Sequence, residues 1–268
     1  MNMKEKVILI CIDGMRPDGF LTCGNPFIHK MMELGSYCLE SHSVFPSSTL
    51  PCHMSMFHSV PPERHGILSN TYVPMVRPVS GLFEQIKIMG GVSDMYYGWE
   101  PLRDIGQPKS LTRSGYICAR GEDNTDNKLA EMALKRIRED QPDFIFLYMV
   151  ETDEKGGHDN GWMSDEYLNY IHVAIENVKR VYEAVQDVCS NADINYTIII
   201  TADHGGHDRL HGTTMKEDMT IPTFFIGKRF EPGKELSDVS ILDLAPTIVD
   251  IMGIPKAPEW EGKNLAEI

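Results

Sequence analysis

The chain lacks paired cysteines, a membrane-length apolar run and an excess of positive charge, and each absence narrows the reading. Its six cysteines, Cys11, Cys23, Cys38, Cys52, Cys118 and Cys189, form no CxxC pair. In a chain of 268 residues they read as reduced thiols of an intracellular protein and not as a disulfide framework. No apolar stretch approaches the ~18 residues needed to span a bilayer. Met1 to Lys6 is polar, and the apolar run after it is too short for a secretory leader, so a cytoplasmic location without a membrane partner is expected. Basic residues are outnumbered: 25 Lys and Arg against 39 Asp and Glu give a formal charge of −14. A nucleic-acid backbone is therefore an unfavourable partner. There is no internal repeat and no low-complexity tract.

What remains is a chain with 42% hydrophobic residues, enough for a sizeable core. Its length suits one domain over 1–268, with room for a small lid or insertion within 60–124. Apolar runs predict strands at 7–12, 92–97, 143–150, 196–202 and 222–227. Helices are expected at 25–34, from about 49, at 81–89, 127–139, 165–188 and 241–252. Residues 41–46 read as extended. Residues 60–80 and 100–124 read as irregular loop. This alternation argues for a mainly parallel sheet with helices on both faces.

Acid and histidine clusters stand just after three of the apolar runs. Val7–Ile12 runs into Asp13-Gly14. Phe144–Val150 is followed by Asp153 and His158. Thr197–Ala202 runs into Asp203-His204-Gly205, with His207 and His211 beyond. In an α/β sheet, ligands gather past the carboxyl ends of parallel strands, so the three clusters can converge. Asp and His together suit zinc or a similar divalent metal.

Each cluster also has a plainer reading. An Asp before Gly is common in turns. Thr49, in Ser47-Ser48-Thr49, looks like a helix N-cap, and spacing alone favours that. The alternative for Thr49 is a nucleophile, because a helix N-terminus favours an anion and a metal can lower the hydroxyl pKa. Three histidines within eight positions beside Asp203 tilt toward ligation. Asp153 and His158 flank Gly156-Gly157, read as a flexible loop. Glu154 competes with Asp153 as the ligand.

Taken in order, these pieces resemble the alkaline phosphatase superfamily, and more closely its type I phosphodiesterase/nucleotide pyrophosphatase branch. The resemblance rests on Asp13-Gly14 with Arg16-Pro17-Asp18, and on Thr49-Leu50-Pro51-Cys52-His53. It continues through Pro62-Glu63-Arg64-His65-Gly66-Ile67 and Asn70, then Asp203-His204-Gly205, and His211-Gly212 before Met219-Thr220-Ile221-Pro222. It implies an α/β fold: an alkaline-phosphatase-like three-layer α/β/α sandwich with a mainly parallel central sheet. It implies a hydrolase of phosphodiester or pyrophosphate bonds in a small-molecule phosphate ester, using two divalent metal ions, zinc first.

Carried over residue by residue, Asp13, Thr49, Asp203 and His204 match the ligands of the metal that activates the nucleophile. Asp153, His158 and His211 match those of the second metal. Thr49 matches the nucleophile, and Asn70 matches a donor to a non-bridging phosphate oxygen. In the two-metal template, ions ~3.5–4 Å apart clamp the attacking and leaving oxygens. Thr49 attacks in line, and water then hydrolyses the phospho-threonine. Two departures stand out. Asp153 and His158 are one residue further apart than the family usually has, and the chain is short for the branch.

The main alternative on the same site is a phosphomonoesterase or phosphonate hydrolase. A monoester dianion calls for an extra cation, with Arg64, Arg77 and Lys155 as candidates; the neutral Asn70 favours a diester. A sulfatase is disfavoured because the nucleophile segment lacks the Cys/Ser-x-Pro-x-Arg pattern. A phosphoglycerate-mutase-like transferase is disfavoured because no large inserted domain is present. A metal- or nucleotide-binding protein without turnover would be marked by a missing ligand, yet every expected position is filled. His207 receives no role beyond that of a supporting or surface histidine.

Overall fold

A computed structural model describes residues 5–266. Met1 to Lys4, part of the polar start, lie outside the described residues. Seven strands form one sheet: β1 (Lys6–Ile12), β2 (Ser36–His42), β3 (Ser93–Tyr97), β4 (Arg113–Tyr116), β5 (Phe144–Met149), β6 (Tyr196–Thr201) and β7 (Thr220–Ile226). Their order is β2-β7-β6-β1-β5-β3-β4. The five from β6 to β4 run parallel, and β7 lies antiparallel to both β6 and β2.

β1, β5 and β6 read as unbroken apolar runs because they are central strands, buried on both faces. Their registers place Ile12 beside Met149 and Cys11 beside Thr201. The three strands therefore end at one edge, and the segments carrying Asp13, Asp153 and Asp203 leave from it together.

Helices cover both faces. α1 (Pro17–Thr22), α2 (Phe27–Leu34), α6 (Thr125–Glu139) and α7 (Asp165–Asn191) pack among themselves and on the sheet. α3 (Thr49–His58), α5 (Leu82–Ile88) and α9 (Leu244–Met252) form the second outer layer, while α4 (Pro62–His65) and α8 (Lys216–Met219) are single turns. In α7 the buried stripe is Tyr167, Ile171, Ala174, Val178, Val181, Val185 and Val188, the three- and four-residue spacing of a helix face. The result is the expected three-layer α/β/α sandwich.

The sequence reading and the structure part in places. Residues 100–124 contain a 3₁₀ turn at Glu100–Asp104 and the edge strand β4. β4 reads Arg-Ser-Gly-Tyr and buries only Gly115, so it has no apolar run to announce it. β2 begins at Ser36, ahead of the extended stretch expected at 41–46. α2 starts at Phe27, because Asn25 Oδ1 accepts the Phe27 N–H from outside the helix. Among the described residues no helix is long and apolar enough to cross a membrane.

Candidate metal centre and nucleophile

The β1, β6 and α3 ends build the first side of the site. The Asp13 N–H donates to the Met149 carbonyl at 2.9 Å, so the parallel ladder carries one residue past β1. Gly14 then turns the chain at φ +66°. Asp203 and His204 follow β6 and are fully buried. Thr49 is the first residue of α3 and not its N-cap; that position is Ser48, in extended backbone and making no side-chain cap bond. Instead Thr49 Oγ1 lies 3.2 Å from His204 Nε2. The N-cap alternative is thereby set aside: Thr49 points into the acid and histidine cluster. His204 Nε2 is also 3.3 Å from Asp13 Oδ1 and 3.5 Å from Asp203 Oδ2.

The second side comes from the segment after β5 and the turn after β6. The supposed loop at Gly156-Gly157 is a π-helical run, Thr152–Asn160. A π-helix bonds i to i+5, so residues five apart share a side. The extra residue between Asp153 and His158 is thus absorbed by a wider helical turn: His158 Nε2 is 3.4 Å from Asp153 Oδ2. The two glycines serve packing. A Cβ on Gly156 would lie 3.1 Å from the Tyr167 backbone, and one on Gly157 would strike Trp162 at 2.6 Å. Glu154 pairs with Arg120 at 2.8 Å, outside the cluster.

The two sides meet at His204. One group of mutually close donor atoms comprises Asp13, Asp203 and His204, and the other Asp153, His204 and His211. His204 belongs to both. His158 stands at the outer rim, with 37% of its side chain exposed. His211 Nε2 is 3.9 Å from Asp153 Oδ1. Its ring stacks on His204 with centroids 3.9 Å apart.

Hydrogen bonds fix the histidine tautomers. A carbonyl can only accept, so Nδ1–H of His204 donates to Gly205 (2.8 Å), that of His158 to Arg209 (2.9 Å) and that of His211 to Ser47 (2.9 Å). All three Nε2 lone pairs are left facing the carboxylates. Backbone carbonyls behind an imidazole are a usual way to orient a metal ligand. The Asp13 carboxylate accepts from the Tyr148 hydroxyl, and Asp203 Oδ1 accepts from the Gly14 N–H at 3.3 Å. Yet Asp13 Oδ1, Asp153 Oδ1 and Asp203 Oδ2 are buried without any hydrogen-bond partner.

The electrostatics match. Burial, then the charges of Asp203 and Asp153, push the Asp13 carboxyl well up. Burial pushes Asp153 up to about 6. Burial also raises Asp203, but His204 and His53 outweigh it and hold Asp203 below its ordinary value. Burial pushes His204 and His211 down, toward neutral imidazole. Crowded carboxylates, orphaned oxygens and convergent lone pairs repel one another until a cation lies between them. The donor set therefore fits divalent metal.

Asn70 is exposed and stands at the start of α3, where its Oδ1 accepts the Leu50 N–H at 3.0 Å. Its amide N–H groups remain as donors beside Thr49. His207 binds Asp218 at 2.7 Å, and Asp218 also holds Thr213, so His207 braces a turn. Two further residues support the site: Tyr148, which no motif announces, and His53, which closes the Thr49–His53 segment but takes no role from the sequence. Tyr148 is the one phenol in an otherwise apolar strand, a polar tip inside a buried run. His53 Nδ1 bonds the Thr49 carbonyl at 2.7 Å and lies 3.4 Å from Asp203.

With this geometry in view, comparison with known proteins is informative. A family model described as type I phosphodiesterase / nucleotide pyrophosphatase matches residues 7–85. A model of the metalloenzyme superfamily matches residues 84–256, more than half of the chain. The chain belongs to the metalloenzyme superfamily. It is an enzyme with an alkaline-phosphatase-like fold, and membership of this superfamily implies divalent metal ions.

Among curated relatives, ectonucleotide pyrophosphatase/phosphodiesterase family member 1 of Rattus norvegicus is 23% identical over 219 residues, covering 74% of this chain and 24% of that protein. The 2,3-bisphosphoglycerate-independent phosphoglycerate mutase of Clostridioides difficile (strain 630) is 28% identical over 145 residues, 52% of this chain and 26% of that protein. The chain thus spans about a quarter of the length of these relatives. Among solved structures, inactive murine ectonucleotide pyrophosphatase/phosphodiesterase 5 in complex with AMP aligns with TM-score 0.77 at 15% identity, over 98% of this chain and 99% of that one. A 2-O GAG sulfatase aligns with TM-score 0.80 at 16% identity, over 98% of this chain and 73% of that one. At such identities both show the fold.

Proposed function

We propose that this enzyme hydrolyses phosphodiester or pyrophosphate bonds through a covalent phospho-threonine on Thr49. The observation that carries the reading is the Thr49 hydroxyl at the first position of α3, directed at His204 Nε2 between two carboxylate–imidazole groups. Asp13, Asp203 and His204 would hold one cation beside Thr49; Asp153 and His211, with His158 at the rim, would hold a second. Zinc suits this donor set. Bound there, divalent cations supply the charge that lowers the hydroxyl pKa and neutralises the phosphoryl oxygens.

The chain's own groups do the rest. The α3 N-terminus favours the alkoxide and the phosphate oxygens. Thr49 Oγ1 bonds to phosphorus as the bond to the leaving oxygen breaks. Water then takes phosphorus from Thr49 and restores the hydroxyl. Asn70, anchored through Oδ1 on Leu50, offers its amide N–H to a non-bridging oxygen.

Two features support a diester over a monoester. Asn70 is neutral. Lys155 is tied to Glu151 and to the Glu122 carbonyl, and Arg64 to the Arg77 carbonyl. The test is kcat/KM of zinc-loaded protein for bis-p-nitrophenyl phosphate against p-nitrophenyl phosphate. The diester should be preferred. A monoester preference of about tenfold or more would overturn the reading and direct attention to the exposed Arg77 as a clamp.

A further inference from the structure

Trp162 stands where the three ligand-bearing segments meet. Its buried indole faces a glycine from each. A Cβ on Gly14 would come within 3.3 Å of the ring, one on Gly157 within 2.6 Å and one on Gly206 within 2.2 Å. The three backbones approach the indole this closely only because no side chain intervenes. Two hydrogen bonds add direction. The indole N–H donates to the Gly14 carbonyl at 2.9 Å, and the Trp162 backbone N–H donates to the Asp208 carbonyl at 2.8 Å. Gly161, at φ +101°, turns the chain out of the π-helical run and delivers the side chain to this junction. The ring then meets His158 edge-on, with centroids 5.4 Å apart, and His211 at 6.0 Å.

We propose that Trp162 is a positioning residue: it holds the segments after β1, β5 and β6 in register, and so sets how tightly Asp153, His158 and His211 bind a divalent cation. This rests on the reading that those residues hold metal. The imidazoles it touches belong to that side of the site. On the other side, Asp13 and Asp203 are braced by Tyr148 and the Gly14 N–H.

The test loads the chelator-treated 268-residue chain with zinc(II) in competition with a chromophoric chelator. Wild type should show two binding steps. Trp162→Phe keeps an aromatic ring but loses the N–H and the reach of the larger indole. It should weaken one step about 10- to 100-fold, as loss of a supporting partner does, and the other distinctly less, since the indole also bonds the Gly14 carbonyl beside Asp13. Folded Trp162→Phe protein with both steps intact would overturn the proposal. Equal weakening of both steps would mark general structural damage and overturn it too.

Should Trp162→Phe fail to fold, a Trp99→Phe/Trp260→Phe double variant leaves Trp162 as the sole fluorophore of the chain's three tryptophans. Its emission should change as zinc occupies the step that involves His158 and His211. Emission that stays constant through both steps overturns the proposal. Wild type that binds no zinc at all overturns the metal reading beneath it, a result distinct from the others.

Discussion

The two sides of the candidate metal centre are built differently. Asp13, Thr49, Asp203 and His204 sit at the very ends of central strands and on the first turn of α3, all but sealed from solvent. Asp153, His158 and His211 sit on a π-helical run and a turn, and His158 opens to the surface. The first side takes its precision from the ends of paired central strands, where a ladder bond still holds Asp13 to Met149, and from the first turn of α3. The second depends on packing between segments, above all around Trp162. The contrast teaches that the Thr49 side is placed by the fold itself, whereas the other side is placed by a few contacts that single substitutions can loosen.

The largest effect should come from the Thr49 side, if Thr49 is the nucleophile proposed above. Thr49→Ala is expected to lower kcat by more than about a thousandfold, the scale seen when a nucleophile is removed. Thr49 is not the N-cap of α3, so stability should change by about 1 kcal/mol or less. Steady-state kinetics with thermal unfolding check both. Activity within about tenfold of wild type would return Thr49 to an ordinary helix residue.

On the second side, Asp153→Asn and Glu154→Gln separate a ligand from its neighbour. Asp153 has a buried, unpartnered oxygen facing His211, while Glu154 pairs with Arg120. Asp153→Asn should cost one zinc-binding step and most of the activity. Glu154→Gln should stay within about threefold of wild type, since exposed ion pairs contribute little. The reverse ranking in metal uptake would shift the ligand by one residue.

Much of the first side was legible in the sequence. An apolar run ending in Asp-Gly, and another ending in Asp-His-Gly, locate strand ends because buried parallel strands have no polar alternation. Asp153 and His158 were legible as residues, but their geometry was not. A π-helical turn has no hydrophobic signature of its own, and a glycine pair reads as a flexible loop when it in fact admits Tyr167 and Trp162. Edge strand β4 was missed for a related reason: a polar edge strand buries too little to leave a pattern. The antiparallel direction of β7 was equally silent, since an apolar run does not state which way it lies. Tyr148 and Trp162 carry no motif, and their roles emerge only from what they touch.

A smaller effect should appear in pH dependence. Asp126 accepts the N–H groups of Val150 and Glu151, just ahead of the π-helical run. Burial, then the charge of Glu151, pushes its carboxyl up to about 8. The folded chain therefore keeps a proton that the unfolded chain releases near pH 4, and this contribution to stability is lost as pH rises from about 4 through 8. Metal-free wild type should lose Tm between pH 6 and about 8, and Asp126→Asn should flatten that slope. Equal slopes would show that Asp126 is already ionised in the folded chain.

The central claim, that two unlike sides hold two cations and act as one site, is tested most directly by metal stoichiometry measured alongside turnover. Elemental analysis of chelator-treated chain reconstituted with zinc should give about two equivalents per chain, with hydrolysis of bis-p-nitrophenyl phosphate reaching its maximum only as the second is bound. A reproducible single equivalent, or less, at full activity would contradict it.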